Sequence, residues 1–107
     1  MKTEIKKSTT VQTINPVQFK KAGEVFKAVS HPIRLKILTL IEQSEKGEAI
    51  VGEIYRTLKL EQSIASTHLK WLRDRNIVHA RRQGKNIFYS INEQTLQVII
   101  RAAAVLS

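Results

Sequence analysis

The sequence predicts a mainly α-helical domain that carries one small β-hairpin. Two patterns and one length point there. Apolar residues recur at i, i+3, i+4 and i+7 in several separate stretches, the spacing of helices with one buried face. Between Ile77 and Ile91 the pattern alternates instead, on both sides of Gly84-Lys85-Asn86, as two strands around a tight turn do. At 107 residues one compact domain is the default, large enough to build a core without staples.

Residues 1–14 are rich in Lys, Thr and Ser and lack apolar periodicity. They read as a flexible arm, with residues 15–107 as the folded domain. Asn15 followed by Pro16 is a helix start, a capping side chain and then the residue best tolerated in the first turn. Ala22, Val25, Phe26 and Val29 give that first helix an apolar stripe. Ser30-His31-Pro32 interrupts it, and Ser30 is positioned to cap a second helix whose Ile33, Ile37, Leu40 and Ile41 repeat at helical spacing until Gly47. An extended stretch around Ala49 to Val51 leads into a third helix of about two turns, Gly52 to Leu58, with Ile54, Tyr55 and Leu58 inward.

After a turn at Lys59 to Glu61, a fourth helix runs from Gln62 to about Arg75 with Ile64, Ala65, Leu69 and Leu72 inward. Gln62, Ser63, Ser66, Thr67, Lys70 and Arg73 fall on its outer side. Asn76 is suited to a left-handed C-cap. The hairpin follows, with Arg81, Arg82 and Lys85 near its tip. Asn92 can cap a last helix in which Leu96, Ile99, Ile100 and Ala103 form one stripe, widened by Val98, Ala102, Val105 and Leu106. So broad an apolar surface points to burial against a second subunit.

Charge narrows the partner. Lys plus Arg number 18 and Asp plus Glu 9, for a net +9, and residues 62–85 hold six basic side chains against Asp74 alone. Over half of the excess therefore sits on the fourth helix and the hairpin, which favours a polyanion at that place. There is no cysteine, which excludes disulfide scaffolds, thiolate metal sites and cysteine nucleophiles. No apolar run approaches the roughly 20 residues that cross a bilayer, and the first residues lack an apolar signal-peptide segment; a cytoplasmic protein with no membrane partner is expected. Neither a nucleophile elbow nor a phosphate-binding glycine loop nor an HExxH pair is present, so no enzyme and no cofactor are expected.

Two short helices joined by a tight turn, the second polar and basic outside, then a basic hairpin, form the layout of a winged helix-turn-helix. The major groove admits such a helix, and its amide, hydroxyl and cationic side chains can reach base edges there. Arg81, Arg82 and Lys85 on the wing can lie on the phosphate backbone or enter the minor groove. Double-stranded DNA is the expected partner. His31, His68 and His79 lie on separate elements and read as packing or hydrogen-bonding histidines; for His68, on the recognition helix, a phosphate or base contact also stays open. Trp71 and Tyr89 read as core positions rather than base-stacking platforms.

These residues resemble the ArsR-type winged-helix repressors of bacteria and archaea. That family's Asp-Pro-x-Arg-x-x-Ile-Leu run is similar to Ser30-His31-Pro32-Ile33-Arg34-Leu35-Lys36-Ile37-Leu38. Its Ser-Gln-Ser-x-x-Ser-x-His-Leu-x-x-Leu recognition helix is similar to residues 61–72, and its wing to Asn76-Ile77-Val78 and Arg82-Gln83-Gly84-Lys85-Asn86-Ile87-Phe88-Tyr89. The resemblance spans about residues 20–107 and implies a homodimer through the first and last helices, with Phe19, Ala22 and Phe26 joining Leu96, Ile99, Ile100, Ala103 and Leu106 at the interface, bound to an imperfect inverted repeat as a repressor. The sequence departs from the family's sensing patterns. Residues 48–54 carry no Cys where many members sense through thiolates, and the last helix offers Glu93 and no histidine where others bind metal. Glu61 stands where a capping serine is usual. The effector is unnamed by the sequence; a small apolar ligand among Phe19, Phe26, Ile99, Ile100 and Leu106 is one option, and plain dimer packing by the same residues is another. A second functional reading, an architectural or protein-interaction module that binds DNA with little sequence preference, also fits the charge.

Overall fold

The computed structural model describes the backbone of residues 16–106 and, within them, the side chains except those at 18, 102, 103, 105 and 106. The expected arm and the Asn15 cap therefore lie outside the described residues. The chain runs α1 (Pro16–Ser30), α2 (Pro32–Gln43), a 3-10 turn (Glu45–Gly47), β1 (Glu48–Ile50), α3 (Val51–Leu58), α4 (Gln62–Asp74), β2 (Val78–Gln83), β3 (Asn86–Ile91) and α5 (Glu93–Leu106). Every expected helix and both hairpin strands form.

The core gathers where α2, α3 and α4 meet the sheet. Ile37, Ile41, Ile54, Leu69, Leu72, Ile77 and Val78 are fully buried there. Removing such side chains from water stabilises the fold by about 1.5–3 kcal/mol each. Ile54 illustrates the dependence: it is the sole fully buried residue of the eight-residue α3, with Val51 and Leu58 packed beside it, so truncating it to Ala should cost about 2–5 kcal/mol. From α1, Ala28 lies in this core and half-buried Val29 packs against it, and Val25 is buried as well. Phe26, expected on the same stripe, is 67% exposed.

Helix ends follow local chemistry, with one departure from expectation. Ser30 does not cap α2, because it belongs to the last turn of α1 and its hydroxyl donates to the Lys27 carbonyl at 3.1 Å. His31 takes the role instead: its backbone is extended, and Nδ1 accepts from the Ile33 amide at 3.2 Å. The helix then ends at Gln43, before Gly47, with Ser44 turning the chain out. Lys59 closes α3 in the left-handed region at φ 57°, and Asn76 sits at φ 58° just beyond α4. At Asn76 the amide donates to the Arg73 carbonyl and the Ile77 amide to the Leu72 carbonyl, which satisfies carbonyls of the last turn. Asn92 caps α5 as expected, with Oδ1 accepting from the Gln94 amide at 2.8 Å.

The extended stretch before α3 proves to be a third strand. β3 lies in the middle of an antiparallel sheet ordered β1-β3-β2, with Ala49 opposite Tyr89 and Ala80 opposite Tyr89 from the other side. Gln83 pairs with Asn86, leaving Gly84 and Lys85 as a two-residue turn. Gly84 adopts φ 63° at its first central position, where β-hairpins favour glycine.

Candidate nucleic-acid interface

The start of α4 is a polar surface held up by an apolar underside. Ala65, Leu69 and Leu72 are buried, and Gln62, Ser63, Ser66, Thr67, Lys70 and Arg73 are exposed. Spaced along one side of the helix, these six form a row about three turns long. Ile64 departs from expectation: at 40% exposure it lies at the margin of the buried stripe rather than within it. Glu61 provides no side-chain cap, and its carbonyl accepts from the Ile64 and Ala65 amides, both at 3.1 Å. Thr67 Oγ1 donates to the Ser63 carbonyl at 2.8 Å. Lys70 pairs with Asp74 at 2.7 Å, and that hydrogen bond holds the Asp74 carboxyl below its usual range. Arg73 has no ion-pair partner among the described residues.

His68, expected in the same row, turns away from it. It is half-buried against α2, where Nδ1 accepts from Arg34 Nε at 3.4 Å and its ring meets His31 with centroids 4.7 Å apart. Burial, then the charges of His31 and Arg34, lower its pKa. A neutral ring suits this bond, since only an unprotonated Nδ1 can accept. Helix packing thus brings together two histidines that the sequence places on separate elements.

One helical turn along, Trp71 lies between two guanidinium groups, Arg34 at 3.5 Å and Arg75 at 3.9 Å from the ring centroid. Arg75 reaches on to Glu24 of α1 at 2.8 Å. Lys21 of α1 donates to the Asn76 carbonyl at 3.3 Å, and Asn92 Nδ2 donates to the same carbonyl at 2.9 Å. The end of α4 is therefore tied to α1, α2 and the start of α5. The sequence marks Arg34 as part of the run 30–38 and Arg75 as one of the basic residues of 62–85, but it does not show that they meet Trp71 and Glu24, because residues so far apart along the chain meet only through the helix crossings.

The three expected wing residues do not share one environment. Arg81 and Phe88 are cross-strand partners, as are Arg82 and Ile87, so adjacent Arg81 and Arg82 point to opposite faces of the hairpin. Arg82's face is the one that carries buried Val78. Arg81 lies over the Phe88 ring and binds Glu48 of β1 through two bonds, Nε to Oε2 at 3.3 Å and Nη2 to Oε1 at 2.9 Å. Arg82 and Lys85 are exposed, and neither has an ion-pair partner among the described residues.

Apart from the α4 row and the wing, α1 and α5 leave apolar side chains in solvent. Phe19 is 59% and Ile100 52% exposed, while Ala22, Leu96 and Ile99 are half-buried. The Ala103 and Leu106 side chains lie outside the described residues. Among the described residues no three metal-ligating side chains converge, and no helix is long and apolar enough to cross a membrane.

Residues 31–80, from the α2 cap to the first strand of the wing, match the profile of the bacterial regulatory proteins of the arsR family. The transcriptional repressor PagR of Bacillus anthracis is 39% identical over 80 residues, 74% of this chain and 77% of that protein. Its crystal structure superposes with a TM-score of 0.68, covering 83% of this chain and 99% of the other. The transcriptional activator HlyU of Vibrio cholerae is 34% identical over 75% of this chain and 71% of its own. The HlyU structure superposes with a TM-score of 0.71 over 86% of this chain and 97% of that one. A winged helix-turn-helix DNA-binding domain from Mycobacterium bovis, described as homodimeric, gives 0.70 at 27% identity, covering 84% of this chain and 82% of that one. The helix-turn-helix at α3 and α4 and the β2–β3 wing thus have their counterparts in proteins of one class, and the chain belongs to the arsR family of DNA-binding transcriptional regulators.

Proposed function

We propose that the chain acts as a homodimeric repressor that occupies an imperfect inverted-repeat operator, with residues 15–107 as its DNA-binding and dimerisation unit and residues 1–14 as an arm. The observation that carries this reading is the exposed row Gln62, Ser63, Ser66, Thr67, Lys70 and Arg73 on α4, beside a hairpin that presents Arg82 and Lys85. Amide and hydroxyl groups at the start of a helix are suited to base edges in the major groove, and free cations on a wing to phosphate. His68 serves this surface indirectly, by orienting α4 against α2. The apolar faces of α1 and α5 supply the dimer contact, a reading supported by the exposure of Phe19, Phe26 and Ile100 and by the homodimeric Mycobacterium bovis domain of the same fold. Repression is favoured by PagR.

The test separates side chains that specify from side chains that position. With a duplex enriched from a random pool, Gln62→Ala and Ser66→Ala each lower discrimination against a scrambled duplex by about 1–3 kcal/mol for every base interaction removed. Arg82→Ala weakens binding to both duplexes alike. Equal losses on every duplex from both kinds of variant would show that α4 does not read the bases.

A further inference from the structure

We propose that Arg81 is a positioning residue of the wing and not a DNA contact, and that Glu48 is the partner through which it acts. The inference rests on the reading of the hairpin as a DNA-binding wing and assigns its neighbouring arginines different tasks. The sheet geometry is the first argument. Arg81 and Arg82 are consecutive on β2 and project to opposite faces, so one phosphate track along the hairpin cannot engage both from the same side. The second is that the Arg81 guanidinium is already engaged. Nε and Nη2 hold the two oxygens of Glu48 at 3.3 and 2.9 Å, Nη1 donates to Gln83 Oε1 at 2.7 Å, and the guanidinium carbon lies 4.7 Å from the Phe88 ring centroid. A fork-to-carboxylate pair of this kind fixes direction as well as distance.

The third argument is what the pair connects. Glu48 stands on β1 and Arg81 on β2, the two edge strands, so the ion pair bridges over the central strand β3. β1 leads directly into α3, the first helix of the helix-turn-helix. The clamp therefore links the hairpin that carries Arg82 and Lys85 to the segment entering the helix-turn-helix, setting the wing relative to the recognition helix. A phosphate drawing Arg81 away would leave Glu48 facing the DNA backbone with its own charge uncompensated, which opposes such a transfer.

The experiment is a salt series of duplex titrations with the full-length protein and its Arg81→Ala, Arg82→Ala and Glu48→Gln variants, together with the exchanged pair Glu48→Arg/Arg81→Glu. Removing one phosphate interaction lowers the slope of log K against log salt by about 0.9. The expected result is a reduced slope for Arg82→Ala and an unchanged slope for Arg81→Ala. Arg81→Ala and Glu48→Gln each weaken binding to the enriched duplex by roughly three- to ten-fold, the range open to a partly exposed ion pair in each protomer, and the exchanged pair recovers most of that affinity. The proposal is overturned if Arg81→Ala lowers the slope as Arg82→Ala does, or if Glu48→Gln binds as tightly as the parent or tighter while the exchanged pair binds worse than Arg81→Ala. A parent protein that binds enriched and scrambled duplexes alike would overturn operator recognition instead. The slope comparison would still decide the clamp, since phosphate interactions act on any duplex.

Discussion

Trp71→Leu probes how the recognition helix is held. The ring is half-buried between Arg34 at 3.5 Å and Arg75 at 3.9 Å, the first on α2 and the second at the C-terminal cap of α4. Each cation over a partly exposed ring is worth about 0.5–1 kcal/mol, so losing both removes about 1–2 kcal/mol before any change in packing. For a domain of this size each kcal/mol shifts the melting temperature by roughly 4–8 °C. Trp71→Leu should therefore melt about 4–16 °C below the parent, read by circular dichroism at one fixed protomer concentration, because the proposed dimerisation would make the midpoint concentration-dependent. To isolate the stack, Arg34→Met and the double variant close a cycle. The Arg34–Trp71 coupling should be about 0.5–1 kcal/mol, above the roughly 0.3–0.5 kcal/mol error of additivity. Additive single-variant effects would refute the reasoning and reduce Trp71 to a packing residue.

Three further predictions concern single residues. His68 has a lowered pKa in the fold, so the unfolded chain binds its proton first as pH falls below about 6.5, and stability should decline from there until pH passes the lowered value; denaturant midpoints against pH should show this decline, and His68→Gln should remove that component. Asn76 at φ 58° should tolerate Gly with little change, whereas Asn76→Ala should cost about 1–2 kcal/mol in chemical denaturation. Phe26→Glu should convert the proposed dimer to monomer in sedimentation while leaving the helix content of the protomer intact, since the side chain is 67% exposed and outside the core.

The helices are legible in the sequence because each carries its own apolar period, and the hairpin because alternation and Gly84 act locally. Asn76 is legible too, since asparagine is one of the few residues at ease in the left-handed region. Lys59, in the same conformation at φ 57°, gives no such sign, because lysine has no side-chain chemistry that marks positive φ. The cap of α2 lies one residue beyond the expected one: Ser30 has the stronger capping propensity, yet the preceding helix absorbs it and His31 inherits the position. β1 is not recognisable locally as a sheet strand because its three residues pair only with β3, far along the chain. The candidate interface shows the same division. Its outward row on α4 follows from the helical period, whereas the inward turn of His68 depends on meeting Arg34 and His31. Alternation could separate Arg81 from Arg82, but only the strand order reveals Glu48 as the partner.

The most direct test of the central claim is the affinity of the purified protein for a duplex enriched from a random pool, measured against a scrambled duplex across a salt series. An enriched inverted repeat with half-sites about one helical turn apart, bound at least ~10³ more tightly than the scrambled sequence at physiological salt, is the predicted result. No enrichment, with equal binding to both duplexes that collapses together as salt rises, would contradict it.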